Sequence, residues 1–282
     1  MAVFEADGRL HHIAIRSGDV GRYVLLPGDP GRVERIARRF DDAHFVASHR
    51  EYVTWTGTLD GVKVSCTSTG IGCPSTAIAV EELAAAGADT FIRVGTAGAM
   101  QPEIRTGDIG VISGAIRDEG TSRHYLPLEF PAVADIDVTV ALREGARNAG
   151  HRFRVGIAQS KDSFYGQHEP ERMPIAAELG RRWDAWTAGG AICSEMEAAT
   201  LLIVASALRV RAGGVMLIYQ NMDHRQPTAE ERAAGNVEHV IDAAISGLRQ
   251  LIADDRARAD AALAGAAGAA DAAGAAGAAD AS

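Results

Sequence analysis

Short apolar, β-rich runs alternate with helically spaced ones from Tyr23 to Ile252, and this alternation constrains the fold more than any other feature of the chain. Tyr23–Leu26, Thr90–Val94, Ile109–Ile116, Arg154–Ala158 and Gly214–Tyr219 read as strands. Helical spacing marks Arg32–Phe40, Ser75–Ala86, Asp137–Asn148, Pro174–Thr187, Met196–Leu208 and Thr228–Ile252. Tyr52–Leu59 and Val62–Thr67 flank Asp60-Gly61, a two-residue hairpin signal. Ser75 is the expected N-cap of its helix and Gly87 the expected stop. Strands and helices at this spacing predict an α/β sheet covered on both faces, with functional groups in loops at strand ends.

From Asp255 to Ser282 the sequence is almost only Ala, Gly and Asp. Such a segment buries too little surface to offset its ordering entropy. The expected division is one folded domain at 1–254 and a disordered tail at 255–282, whose alanines sustain at most a frayed helix. The formal net charge of −9 argues against a nucleic-acid polymer as partner. No apolar run approaches the ~18 residues of a membrane span and no leader pattern opens the chain, so a cytoplasmic protein is expected. Cys66, Cys73 and Cys193 lack CxxC spacing, which supports neither a disulfide framework nor a zinc site. The cations are nearly all arginines, with Lys63 and Lys161 the only lysines. Several arginines stand beside glycine-rich turns, where a planar guanidinium suits phosphate or carboxylate.

Five segments can carry chemistry. Leu26–Arg32 is a strand-to-helix turn whose free backbone N–H groups and arginine make an anion site, or an ordinary turn with a surface arginine. Ser68–Ser75 has two glycines that allow close backbone approach, but it is neither GxGxxG nor a Walker A loop. In Arg93–Ala99 an arginine closes an apolar strand, where it must meet an anion or a structural acid, and Thr96 adds a hydroxyl. Ser194–Glu197 places two carboxylates around Met196 at a helix start, which suits either capping or vicinal hydroxyls with a sugar face on the thioether. The polar loop Asp162–Arg172 offers Phe164 for stacking and Gln167 for an amide-like ring edge, unless its aromatics only pin the loop down. There is no GxSxG nucleophile, and the nine histidines show no HExxH spacing.

An anion turn, a buried arginine, a hydroxyl-binding acid pair and an amide-reading loop together describe a nucleoside and a phosphate. With these pieces in order, the chain resembles the nucleoside phosphorylase family from about His12 to Leu251. The motifs are Pro27–Glu34, Ser48–Glu51, Ser68–Ser75, Arg93–Gly98, Pro127–Asp135 and Ser194–Glu197, the fifth pointing to the uridine branch. The resemblance implies a single-domain three-layer α/β/α sandwich with a central mixed sheet. It implies that phosphate is held by Gly28, Arg32, Arg93 and Thr96, with Arg50 reaching in from a neighbouring subunit. Ribose would lie against Glu195, Met196 and Glu197, with the neighbour's His12 near the 5′ hydroxyl. The base would meet Phe164 and Gln167, and the groups carrying the reaction would be Arg93, Glu197 and Gln167.

Relatives of this kind are hexamers, trimers of dimers with shared active sites, and some hold a potassium ion near residues matching Glu51, Ile71 and Ser75. Inorganic phosphate is then a co-substrate and no organic cofactor is expected. The chain also departs from the pattern. Gln167 is followed by His168-Glu169, so the next arginine available to the base is Arg172. After Gly214–Tyr219 comes Gln220-Asn221-Met222, with Arg225 further on. Purine-cleaving relatives place an aspartate near Asn221, and Asp223 is close enough to keep a purine phosphorylase as the alternative. A nucleoside hydrolase or a non-catalytic nucleoside-binding protein fits the phosphate arginines less well.

Overall fold

The computed structural model describes residues 3–222 and 228–279. In chain order the elements are β1 (Tyr23–Leu26), α1 (Pro30–Ala37), β2 (Asp41–His49), β3 (Tyr52–Leu59), β4 (Val62–Thr67) and α2 (Cys73–Ala85). Next come β5 (Thr90–Ala99), β6 (Ile109–Asp118), β7 (Ala132–Val133), α3 (Ile136–Asn148), β8 (Phe153–Lys161) and α4 (Phe164–His168). The chain continues with α5 (Ala176–Ala188), β9 (Cys193–Glu195), α6 (Ala198–Leu208), β10 (Arg211–Gln220), α7 (Ala229–Ala234) and α8 (Val237–Ala279).

The strands form one mixed sheet in the order β10-β6-β8-β9-β5-β1-β4-β3-β2, with β7 on β6. β10 also pairs with β5, so five strands close on themselves while β1, β4, β3 and β2 extend outward. Alternation along β1 shows the layers. Tyr23 and Leu25 join the core under α1, α3 and α8, whereas Val24 and Leu26 join the core under α2 and α6. A third cluster, including Ala97, Ile112, Ala158, Cys193 and Met216, fills the closed part. The fold is therefore the expected α/β/α sandwich, with a ring at one end of its sheet.

That ring positions the site. β10 follows β5 from Thr90 to Gly98 on one edge. On the other edge β1 stops at Arg93 and β9 joins only at Gly98, so a gap opens beside Val94–Ala97. Breaks of this kind at the carboxyl ends of strands are where α/β folds bind ligands.

Several boundaries move. β5, β6 and β8 run on to Ala99, Asp118 and Lys161, because their polar ends are buried by the ring rather than turned to solvent. Strands β2 and β9 carry no apolar run and had no sequence signal. The N-cap of α2 is Gly72 at φ 100°, not Ser75, which lies inside the helix. The closing helix breaks at Gly235-Asn236 into α7 and α8. Helix α8 passes the expected domain boundary without interruption, and Asp255 there accepts hydrogen bonds from Tyr23 (2.6 Å) and Arg211 (2.6 and 2.9 Å).

Candidate active site

Arg93 occupies the mouth of the gap and is 5% exposed. A buried guanidinium needs acids to offset its lost hydration. Nε donates to Glu195 at 2.9 Å and Nη2 donates to Glu197. Burial opposes the charge, but Glu197 and Glu195 outweigh it and hold the guanidinium pKa above its ordinary value. The third nitrogen, Nη1, is buried with no hydrogen-bond partner among the described residues. An unmade bond to a buried donor is costly, so Nη1 retains the capacity to donate to an acceptor. Gly95 makes the arrangement possible: a Cβ there would stand 2.5 Å from Met216 Sδ and 3.1 Å from Arg93 Nη2.

Both acids come from the junction of β9 and α6, but they differ in use. Glu195 has a fully buried side chain. It accepts from the backbone N–H groups of Glu197 (2.8 Å) and Ala198 (3.0 Å), from Ser160 Oγ, and from Arg93. Its oxygens already accept from the start of α6, from Ser160 and from Arg93. Glu197 accepts from Arg93 and from Gly72 N–H at 2.5 Å. Burial raises the pKa of its carboxyl, against the pull of Arg93. Half-buried Met196 lies between them, and its carbonyl accepts the Cys73 thiol at 3.2 Å, tying the Ser68–Ser75 loop to this junction.

The turn after β1 completes the cradle. Asp29 caps α1 by accepting from Gly31 N–H at 2.9 Å. A Cβ on Gly28 would approach Gly70 O at 3.0 Å, so the two glycine-bearing loops lie against each other. Arg32 donates to Val94 O at 3.0 Å, inside the gap. Burial and the nearby charge of Arg93 both push the Arg32 pKa down, as expected for two cations close together. Thr96 is half-buried on the same edge of β5.

A cavity of about 430 Å³ adjoins this cluster, lined by Gln167, His168 and Lys161, by Asp118 and Asp162, and by Trp183 and Trp186 of α5 among others. Lys161 is 5% exposed and gives one proton to Ser194 Oγ at 2.7 Å. Burial lowers its pKa, while Glu195 and Glu197 oppose that shift. This lysine connects the cavity to the acid pair, and sequence reading missed it. The available signal was its rarity: one of two lysines, placed directly before the Asp162–Arg172 loop.

The other expected residues are dispersed. Arg172 pairs with Glu169 on the surface and does not line the cavity, because its short-range partner holds it outside. Phe164 is 50% exposed, with its ring 4.1 Å from that of His168. Arg50 is exposed in the β2–β3 turn with φ 55°. His12 pairs through Nδ1 with Glu82 at 2.6 Å. Glu51 and Ser75 both approach Gly70, and Ser75 Oγ lies 3.4 Å from Ile71 O, so the three expected cation ligands are neighbours. Asp223 and Arg225 lie outside the described residues. Asn221, described and buried, accepts from Thr106 N–H at 2.9 Å and donates to Glu231 at 3.1 Å.

Comparison with known proteins adds a family to this geometry. A model of the phosphorylase superfamily matches residues 22–253. A uridine phosphorylase of Treponema pallidum is 49% identical over 248 residues, 88% of this chain and 96% of the relative. One from Escherichia coli is 40% identical over 246 residues, covering 86% and 97%. A guanosine phosphorylase of Halorubrum lacusprofundi is 38% identical over 240 residues, covering 82% and 94%.

Proposed function

The chain belongs to the phosphorylase superfamily, and on that premise we propose that it is a pentosyltransferase that cleaves uridine with inorganic phosphate, giving uracil and α-ribose 1-phosphate. The observation that carries the reading is Arg93: a buried guanidinium with one nitrogen unused, flanked by Arg32 and fixed by two acids. Phosphate bound there meets Arg93, Arg32, Thr96 and the Gly28 backbone, with Arg50 supplied by a second subunit. The acid beside it, Glu197, takes the vicinal ribose hydroxyls, and Met196 packs on the sugar. Gln167 and Lys161 then face the base.

The chemistry follows from these groups. Phosphate oxygen attacks C1′ as the N-glycosidic bond to uracil breaks, through a sugar with oxocarbenium character. Two fixed cations orient the nucleophile, and the carboxylate of Glu197 steadies the electron-poor ribose. Negative charge builds on the departing uracil, where the Lys161 ammonium and the Gln167 amide are donors. No protein nucleophile takes part.

The proposal extends to assembly and setting: a cytoplasmic hexamer, a trimer of dimers that share sites, acting in pyrimidine salvage. Large apolar side chains exposed on the single chain support association, Ile71 at 80% and Ile136 at 76% among them. Among the described residues no helix is long and apolar enough to cross a membrane. A monovalent cation between subunits at Glu51, Ile71 and Ser75 fits the oxygen donors gathered there. Incubation with uridine, deoxyuridine, thymidine or inosine, each with and without phosphate, tests the reading. Phosphate-dependent release of uracil is expected. Turnover of inosine alone would overturn the uridine assignment, and full turnover without phosphate would make the protein a hydrolase.

A further inference from the structure

Lys161 is buried at the inner end of the cavity, and what holds it is a one-way chain of hydrogen bonds. Gln159 Nε2 donates to Asp118 Oδ2 at 2.9 Å, which leaves Gln159 Oε1 as an acceptor. Ser194 Oγ gives its proton to that oxygen at 2.6 Å. The serine's lone pairs therefore face Lys161 Nζ, 2.7 Å away. Gln159 is fully buried and Ser194 is 6% exposed, so water does not compete for these bonds. Every link has one possible direction, from the ammonium to the carboxylate. Among the described residues the ammonium has no other protein acceptor, so its remaining protons are free for a ligand. Asp118 itself is held by Arg182 of α5.

We infer that Ser194, Gln159 and Asp118 are positioning residues for the phosphorolysis step: they aim Lys161 into the base end of the cavity and keep it charged as the base departs. The inference rests on the reading of Lys161 as a base contact. The remaining charged and titratable groups around Lys161 are Glu195, Glu197 and the Cys193 thiol on the sugar side, with Asp162, His168 and Arg182 lining the cavity. Of these, only Arg182 meets the chain, at its far end through Asp118. Ser194 and Gln159 touch neither the phosphate arginines nor Glu197, so their effect should be confined to the leaving group.

The test compares Ser194→Ala, Asp118→Asn and the double variant with wild type, using uridine and phosphate. In Ser194→Ala, kcat should fall about tenfold while KM for phosphate stays within about twofold, the loss expected when a hydrogen bond to a charged group is cut. In both single variants the alkaline limb of kcat should move to lower pH by about half a unit or more, because the ammonium loses its link to a carboxylate. Ionisation of uridine itself is common to every variant and does not contribute to the difference. The double variant should fall short of the sum of the singles, since cutting the serine link already disconnects Asp118. An unmoved limb, or strictly additive effects, would overturn the chain while Lys161→Met remains inactive. Uridine turnover near wild type in Lys161→Met would instead remove the reading on which the chain depends.

Discussion

Replacing Glu197 by glutamine separates its role in chemistry from its role in the fold. The carboxylate accepts twice, from Gly72 N–H and from Arg93 Nη2, and its side chain is 4% exposed. Glutamine offers one acceptor oxygen, so one of those two donors loses its bond at a cost of about 1–3 kcal/mol. Arg93 keeps Glu195, which limits the damage. An opposing contribution comes from the charge itself. Burial raises the Glu197 pKa, so in the fold the ionised form is held at a cost that glutamine removes. A net loss of about 0–2 kcal/mol then lowers Tm by no more than about 8 °C for a domain of this size.

The sign with pH follows from the raised value. Wild-type stability falls as pH rises from the unfolded carboxyl pKa through the folded one, whereas the glutamine variant has nothing to titrate at this position. The Tm gap should therefore narrow from acid toward neutral pH. Activity behaves differently. A preorganised group facing developing charge is worth about 10²–10³ in rate, or about 3–4 kcal/mol. Initial rates from the ultraviolet change on uridine cleavage should drop by that factor in kcat, with KM for phosphate nearly unchanged because Arg93 and Arg32 remain. Activity within about fivefold of wild type would refute the placement of Glu197 at ribose. A rise in phosphate KM matching the fall in kcat would show that Glu197 works only through Arg93.

Arg93→Met should raise the phosphate KM by at least tenfold and also destabilise by about 3–5 kcal/mol, since it leaves Glu195 and Glu197 as buried, unpaired acids; phosphate titrations and thermal melts measure the two losses separately. Gly95→Ala should weaken phosphate use without touching any charged group, because the new methyl displaces Arg93 or Met216. Asp255→Asn should lower Tm. Although burial opposes it, the bonds from Arg211, Tyr23 and Arg258 hold the Asp255 carboxyl well below its ordinary value, so its contribution is present above about pH 4 and lost as the solution is acidified further. Truncation after Asp254 should mimic that loss, and truncation after Gly265 should not. Asn221→Asp should destabilise by opposing Glu231 and give no inosine phosphorolysis; a variant that cleaves inosine would revive the purine reading.

What could be read from the sequence follows from the range of the interactions involved. Local signals sufficed for β1, for the turn at Asp60-Gly61 with φ 52° and 73°, and for the presence of a helix after the first glycine-rich turn. The gap at Val94–Ala97 had no local signal, because it exists only where β1 ends and β9 begins, strands far apart in the chain. Arg93 was identifiable because an arginine in an apolar strand demands a partner, but the sequence offered two acids and gave no way to divide their roles. In the structure the two differ in acceptor use: Glu195 accepts from the start of α6 as well as from Arg93, whereas Glu197 accepts from Gly72 N–H and Arg93. Lys161 was hidden for a related reason. The polar triplet Gln159-Ser160-Lys161 looks like the end of a strand and the start of a loop, and hydropathy patterning ends β8 at Ala158. Those residues are buried because each meets a polar partner from β6 or β9, and such satisfied polar interiors leave no periodicity to detect. The arginine expected for base recognition was sought further along the same loop, at Arg172, where Glu169 three residues earlier captures it. Lys161, directly ahead of the loop, lines the cavity and is held by Ser194 of β9, a strand it meets only in the fold.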